Sequence, residues 1–120
     1  MVVEPQTNDQ GATNHRPLIT GQAPPVNAAR GEVSALLAGA ERRLCLTLGA
    51  LAEMEAGLGV DGFAALAERM RTLSARDLTV VLRALLRGGG EAALADGLDR
   101  AAVDPRGAAE AVARAFAAAA

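Results

Sequence analysis

Arg42-Arg43-Leu44-Cys45-Leu46-Thr47-Leu48-Gly49-Ala50-Leu51-Ala52-Glu53-Met54-Glu55 changes its hydrophobic period midway. Leu44, Leu46 and Leu48 alternate as on a strand, and Leu51, Met54 and Leu58 then recur at helical spacing. A strand that runs into a helix almost without a loop predicts a small α+β domain. Upstream, Val33, Ala35 and Leu37 alternate over Glu32 to Ala38, a first strand. Gly39-Ala40-Glu41 is the expected turn, and Arg42 to Thr47 the returning strand. A lone two-stranded ribbon is marginal in water. The face formed by Leu44, Leu46 and Leu48 is therefore expected to pack on helices, with Cys45 on the opposite side.

Downstream, Thr47 is the expected N-cap of a helix over Leu48 to Ala56, ended by Gly57 and Gly59. Asp61 should cap a second helix, Gly62 to Arg71. Its Phe63, Leu66, Ala67, Met70 and Leu73 make the clearest amphipathic stripe in the chain. Ser74-Ala75-Arg76-Asp77 reads as a capping box with Asp77 in the acidic third position. It opens a third helix with Leu78, Val81, Leu82 and Leu85 on one face. Gly88-Gly89-Gly90 is the expected stop and flexible joint. Leu94 and Leu98 suggest a short helix capped by Asp96, against which Gly97 counts. Asp104-Pro105 starts the last helix, with Ala109, Val112, Ala113 and Phe116 on one face. The predicted fold class is α+β and mostly helical: an N-terminal β-hairpin packed on four to five short helices.

Residues 1–29 hold four of the five prolines, Pro5, Pro17, Pro24 and Pro25, among Gln, Asn, Thr and Gly. With so little apolar surface to offset ordering entropy, this segment is expected to be a disordered tail. Residues 30–120 form the expected folded domain. Whether Met1 or Val26 is the true start stays open, since Val26 suits a GTG codon.

Composition limits the function classes. A 120-residue chain suits one domain. Two aromatic residues, Phe63 and Phe116, and abundant Ala predict a thin core that buries little area per contact. The formal net charge of −2 supplies no basic field toward nucleic acid or membrane. All twelve basic residues are Arg, which excludes lysine nucleophiles, Schiff bases and P-loop lysines. One cysteine cannot form an internal disulfide, in keeping with a reducing compartment. With neither a signal-like N-terminus nor a long apolar run, a soluble cytoplasmic protein is expected.

Few motifs survive scrutiny as sites. Gly57-Leu58-Gly59-Val60-Asp61-Gly62 matches G-x-G-x-x-G, but it follows a helix rather than a strand. It reads as helix termination, not dinucleotide binding. Gly88-Gly89-Gly90 is followed by no Lys-Ser/Thr, so it is no phosphate loop. Cys45 has no nearby histidine in sequence, since His15 lies in the expected tail, so it reads as packing. No metal ligand set is visible, and Glu53 and Glu55 diverge on their helix as solvated surface. No catalytic residue, cofactor or metal is expected. Arg76, Arg83 and Arg87, spaced seven and four apart, line one side of the third helix. That stripe is the candidate partner-binding surface, for an acidic protein face rather than nucleic acid.

The ordered set Arg30-Gly31-Glu32-Val33, Arg42 to Glu55, Gly59-Val60-Asp61, Leu66-Ala67-Glu68-Arg69, Leu73 to Asp77 and Leu85 to Gly90 resembles one family. It is the short protein encoded in the tail-gene region of gene transfer agents, phage-derived DNA-packaging particles of bacteria. Proteins of this family are called phage tail tube proteins, or are placed among tail assembly chaperones. The resemblance implies a non-enzymatic role in phage-tail morphogenesis, in a gene transfer agent or prophage. Its first form is a tail assembly chaperone acting on the tape-measure protein, transiently associated with assembling particles. The alternative is a structural, tube-associated tail subunit; the third reading is a small nucleic-acid-binding regulator. Implied partners are the tape-measure protein or other tail proteins, with no small-molecule substrate and no membrane. The resemblance supplies no catalytic or ligand residues.

Overall fold

A computed structural model describes residues 31–119. The expected disordered tail, the alternative starts at Met1 and Val26, and His15 all lie outside the described residues. The described chain is a two-stranded antiparallel hairpin followed by five α-helices and one 3-10 turn. It is an α+β fold, mostly helical.

Strands β1 (Glu32–Leu37) and β2 (Ala40–Cys45) pair in register from Glu32 with Cys45 to Leu37 with Ala40. The turn is thus Ala38-Gly39, one residue earlier than the sequence suggested. Both residues have positive φ, 53° and 82°. A two-residue turn of that kind follows the right-handed twist of the strands. Val33, Ala35 and Leu37 face the helices, joined by Leu44, which is fully buried. The expected Leu44–Leu46–Leu48 face does not hold together. β2 ends at Cys45, Leu46 is only partly buried, and Leu48 is 84% exposed at the start of the first helix. The change of period falls two residues before Leu48, which therefore takes a helical direction.

Helices follow as α1 (Leu48–Leu58), α2 (Gly62–Met70), α3 (Ala75–Gly88), α4 (Ala92–Asp96) and α5 (Pro105–Ala119), with the 3-10 turn Leu98–Arg100 before α5. Their starts follow side-chain chemistry. The Thr47 hydroxyl accepts from Ala50 N at 3.0 Å, and the Asp104 carboxylate accepts from Gly107 N at 2.8 Å. Ser74 and Asp77 form the reciprocal capping box. Asp61 is an exception, since its side chain makes no cap bond. Glu55 reaches across from α1 instead and accepts from Gly62 N at 2.8 Å. The short helix also differs: Glu91 precedes it and Asp96 ends it, so Asp96 is not its cap.

The centre of the fold is α3, which packs against α1, α4, α5 and β2. Surrounded on several sides, it buries Ala84 and Leu86 besides the predicted Val81, Leu82 and Leu85. On α5 the buried face is Ala108, Ala111, Val112 and Ala115, with Phe116 half-buried. Ala109 and Ala113, expected inside, are exposed. In an alanine-rich helix apolarity hardly varies around the circumference, so the sequence pattern fixes its rotation weakly.

Glycines set the seam between α3 and the hairpin. A Cβ on Gly88 would collide with the Cys45 carbonyl oxygen, and one on Gly89 with that of Arg43, both well inside 3.0 Å. The Gly88-Gly89-Gly90 turn is therefore a tight backbone contact as well as a helix stop. Beside it, Arg43 N donates to Glu91 Oε2 at 3.0 Å, so the outer edge of β2 is covered by helix end and carboxylate together.

Candidate functional site

The arginine stripe is well placed on α3, but two of its members are engaged within the molecule. Arg83 donates to the Ala95 carbonyl at 3.1 Å and to Asp99 Oδ1 at 3.0 Å. Arg87 donates to Asp96 Oδ1 at 2.7 Å and also to Glu53 Oε2. Its guanidinium is held above its ordinary value chiefly by the Asp96 hydrogen bond, with Glu53 adding Coulomb attraction. Arg83 and Arg87 thus clasp α4 and the 3-10 turn to α3, and Arg87 reaches α1 as well. Arg76 is exposed in the first turn of α3. Glu53, expected to be plain surface, belongs to this clasp; its partner is 34 positions away and left no local signal.

A fourth arginine, which the sequence did not single out, ties three elements together. Arg69, near the end of α2, places Nε 2.8 Å from Asp77 Oδ2 and Nη2 3.0 Å from Asp77 Oδ1, a two-pronged pair. Its Nη1 donates to the Leu58 carbonyl at the end of α1, at 2.9 Å. The Arg69 hydrogen bonds hold the Asp77 carboxyl below its usual range, outweighing the upward push of burial, with help from Ser74. Asp77 therefore caps α3 and anchors α2 with one carboxylate. The capping box was legible in sequence, but Arg69 was hidden on the polar side of an amphipathic stripe.

That stripe carries the main surprise. Of Phe63, Leu66, Ala67, Met70 and Leu73, only Leu66 is buried, at 2% exposure. Phe63 is 69% exposed, and Met70 and Leu73 are half-buried. Phe63 and Leu66 form a ridge between two shallow hollows. One lies toward α1 and is lined by Leu48, Leu51, Ala52 and Glu55; the other lies toward α5 and is lined by Ala67, Met70 and Phe116. The polar element of this face is small, chiefly Glu55, and that carboxylate is occupied by Gly62 N. Leu48 and Phe63 are the large apolar side chains that this face leaves exposed.

The side chains that line this face are chiefly apolar. Among the described residues no group of three or more His, Cys, Asp or Glu is placed to hold a metal ion. Cys45 is buried in the hairpin at 2% exposure. Gly57 lies inside α1, where a Cβ would press on Val80, while Gly59 ends the helix at φ 70°. The glycine pattern thus serves helix packing and termination. No helix among the described residues is long and apolar enough to cross a membrane.

The family model described as phage tail tube protein, GTA-gp10, matches residues 30–120. The chain belongs to this gene transfer agent tail family. No curated protein and no solved structure matches it.

Proposed function

We propose that this member of the gene transfer agent tail family is a tail assembly chaperone, whose Phe63 face holds amphipathic helices of the tape-measure protein until the tube forms. The exposed apolar face carries this reading. Phe63 and Leu48 stand in solvent on a chain with only two aromatic residues. Such a ridge, with a hollow on each side, suits helix-in-groove recognition, where apolar side chains three and four apart on the partner enter the hollows. Its shallow hollows support modest affinity, which release requires. The small sheet points the same way. The hairpin is two strands wide, β2's edge is covered, and Arg114 Nη1 donates to the Ser34 carbonyl on β1 at 2.8 Å. Little open edge remains for building a tube wall by strand pairing.

The description of the family as a tail tube protein favours a second reading, a structural tube-associated subunit. Two measurements separate them. Co-expression with the tape-measure protein should keep that protein soluble, and Phe63→Ser should abolish the effect while the fold persists. Quantitative mass spectrometry of purified particles should find the chain at trace level; stoichiometric copies would establish the structural role instead. The arginine stripe enters as a second, charged contact. Arg76→Glu is its cleanest probe, because reversal at Arg83 or Arg87 also breaks the clasp on α4. If Arg76→Glu leaves partner binding unchanged, the stripe is not used.

A further inference from the structure

We infer that α2, which carries the Phe63 ridge, is a hinged flap latched by Arg69 and swung aside to admit the partner helix. The inference rests on the reading of the Phe63 face above and adds that this face changes shape. Among the described residues, α2 is the one helix of nine or more residues that packs extensively against no other element. Leu66 is its single buried side chain. The joint on its N-terminal side holds two glycines at positive φ, Gly59 at 70° and Gly62 at 85°. On its C-terminal side Arg71 and Thr72 are exposed.

Three polar ties hold this helix down. The Arg69 fork grips Asp77, the same guanidinium reaches the Leu58 carbonyl, and Gly62 N meets Glu55. Two of the three pass through one side chain, so releasing Arg69 leaves Leu66, the half-buried Met70 and the Gly62–Glu55 hydrogen bond. The hollows on either side of α2 are each too shallow for a helix, which is about 10–12 Å across with its side chains. Rotation of α2 about its glycine joint joins them into one groove between Leu51 of α1 and Phe116 of α5. Elements with few buried apolar contacts are the ones that open ahead of global unfolding.

Hydrogen exchange followed by mass spectrometry on the full chain, with no partner present, tests the flap apart from the function. Amides of residues 62–70 should exchange at least about tenfold faster than those of residues 78–86. Arg69→Met should accelerate 62–70 by roughly a further tenfold, and that exchange should respond to low urea far more weakly than exchange of 78–86 does. Arg69→Lys keeps the charge but cannot form the fork, and should fall between. Arg71→Met, on the same helix but with its side chain 76% exposed, should change nothing. No acceleration of 62–70, or the same urea dependence in both segments, overturns the flap, because α2 would then open only with the whole molecule. A selective response together with failure to keep the tape-measure protein soluble would discard the chaperone reading and leave the flap standing.

Discussion

The seam between α3 and β2 and the face around α2 follow opposite packing rules. At the seam, Gly88 and Gly89 bring helix backbone against the carbonyls of Cys45 and Arg43, and not one carbon can be added. At α2 a single leucine is buried, and the larger Phe63 stands in solvent. The first region fixes the architecture and the second is left open. A domain with so few large apolar side chains concentrates its packing in one place, and the surface it leaves uncovered is free to bind.

The strongest challenge to this contrast is Gly89→Ala. In an exposed helix, replacing glycine by alanine helps by about 1 kcal/mol. At the seam the added carbon meets backbone, so a loss of about 3 kcal/mol or more is expected in denaturant melts. A neutral result would mean that the seam can slide. Leu66→Ala comes next, with a loss of about 2 kcal/mol, at the low end for a buried leucine because α2 can settle into the space. A loss as large as that of Leu85→Ala would show α2 to be as firmly packed as α3.

Acid provides a third measurement. Because Arg69 depresses the Asp77 carboxyl in the folded state, its contribution to stability is complete above the ordinary carboxylate value of about 4. That contribution is lost as pH falls through the depressed folded value. Asp77→Asn should therefore melt lower than the parent at pH 7, with the gap narrowing as pH drops below about 4. A gap independent of pH would mean that the pairing with Arg69 is not what Asp77 supplies.

Smaller effects are expected at the two exposed extremes. Ala38→Asn puts a residue tolerant of positive φ ahead of Gly39 and should stabilise the hairpin by about 1 kcal/mol. Phe63→Ser should alter stability by less than about 0.5 kcal/mol in either direction while removing the partner interaction. If Phe63→Ser instead destabilises like a core substitution, the face is part of the fold and not a surface for a partner.

Where the chain's local chemistry is strong, the sequence was readable. Thr47, Ser74 with Asp77, and Asp104 each bond a backbone amide within three residues, so their caps could be placed from the chain alone. The alternation of Val33, Ala35 and Leu37 placed the first strand. Long-range partners were not readable: Glu53 with Arg87, Arg69 with Asp77 and Leu58, Glu91 with Arg43. The turn was misplaced by one residue because alanine at positive φ has no signature. The face of α5 was misjudged because alanine surrounds the helix.

The candidate surface shows the same limit from the other side. Phe63, Leu66, Ala67 and Met70 were legible as one amphipathic stripe. Periodicity states that these side chains share a direction, but it does not state whether anything lies in that direction. By itself the sequence determined the elements, most of their ends, the α+β class and the family. The packing of α3 against four other elements decided which apolar stripe would be covered. It also turned two of the three candidate arginines into internal clasps and left Phe63 in solvent. Caps and alternation act between near neighbours in the chain, whereas coverage of a face depends on elements far apart in sequence and close only once folded.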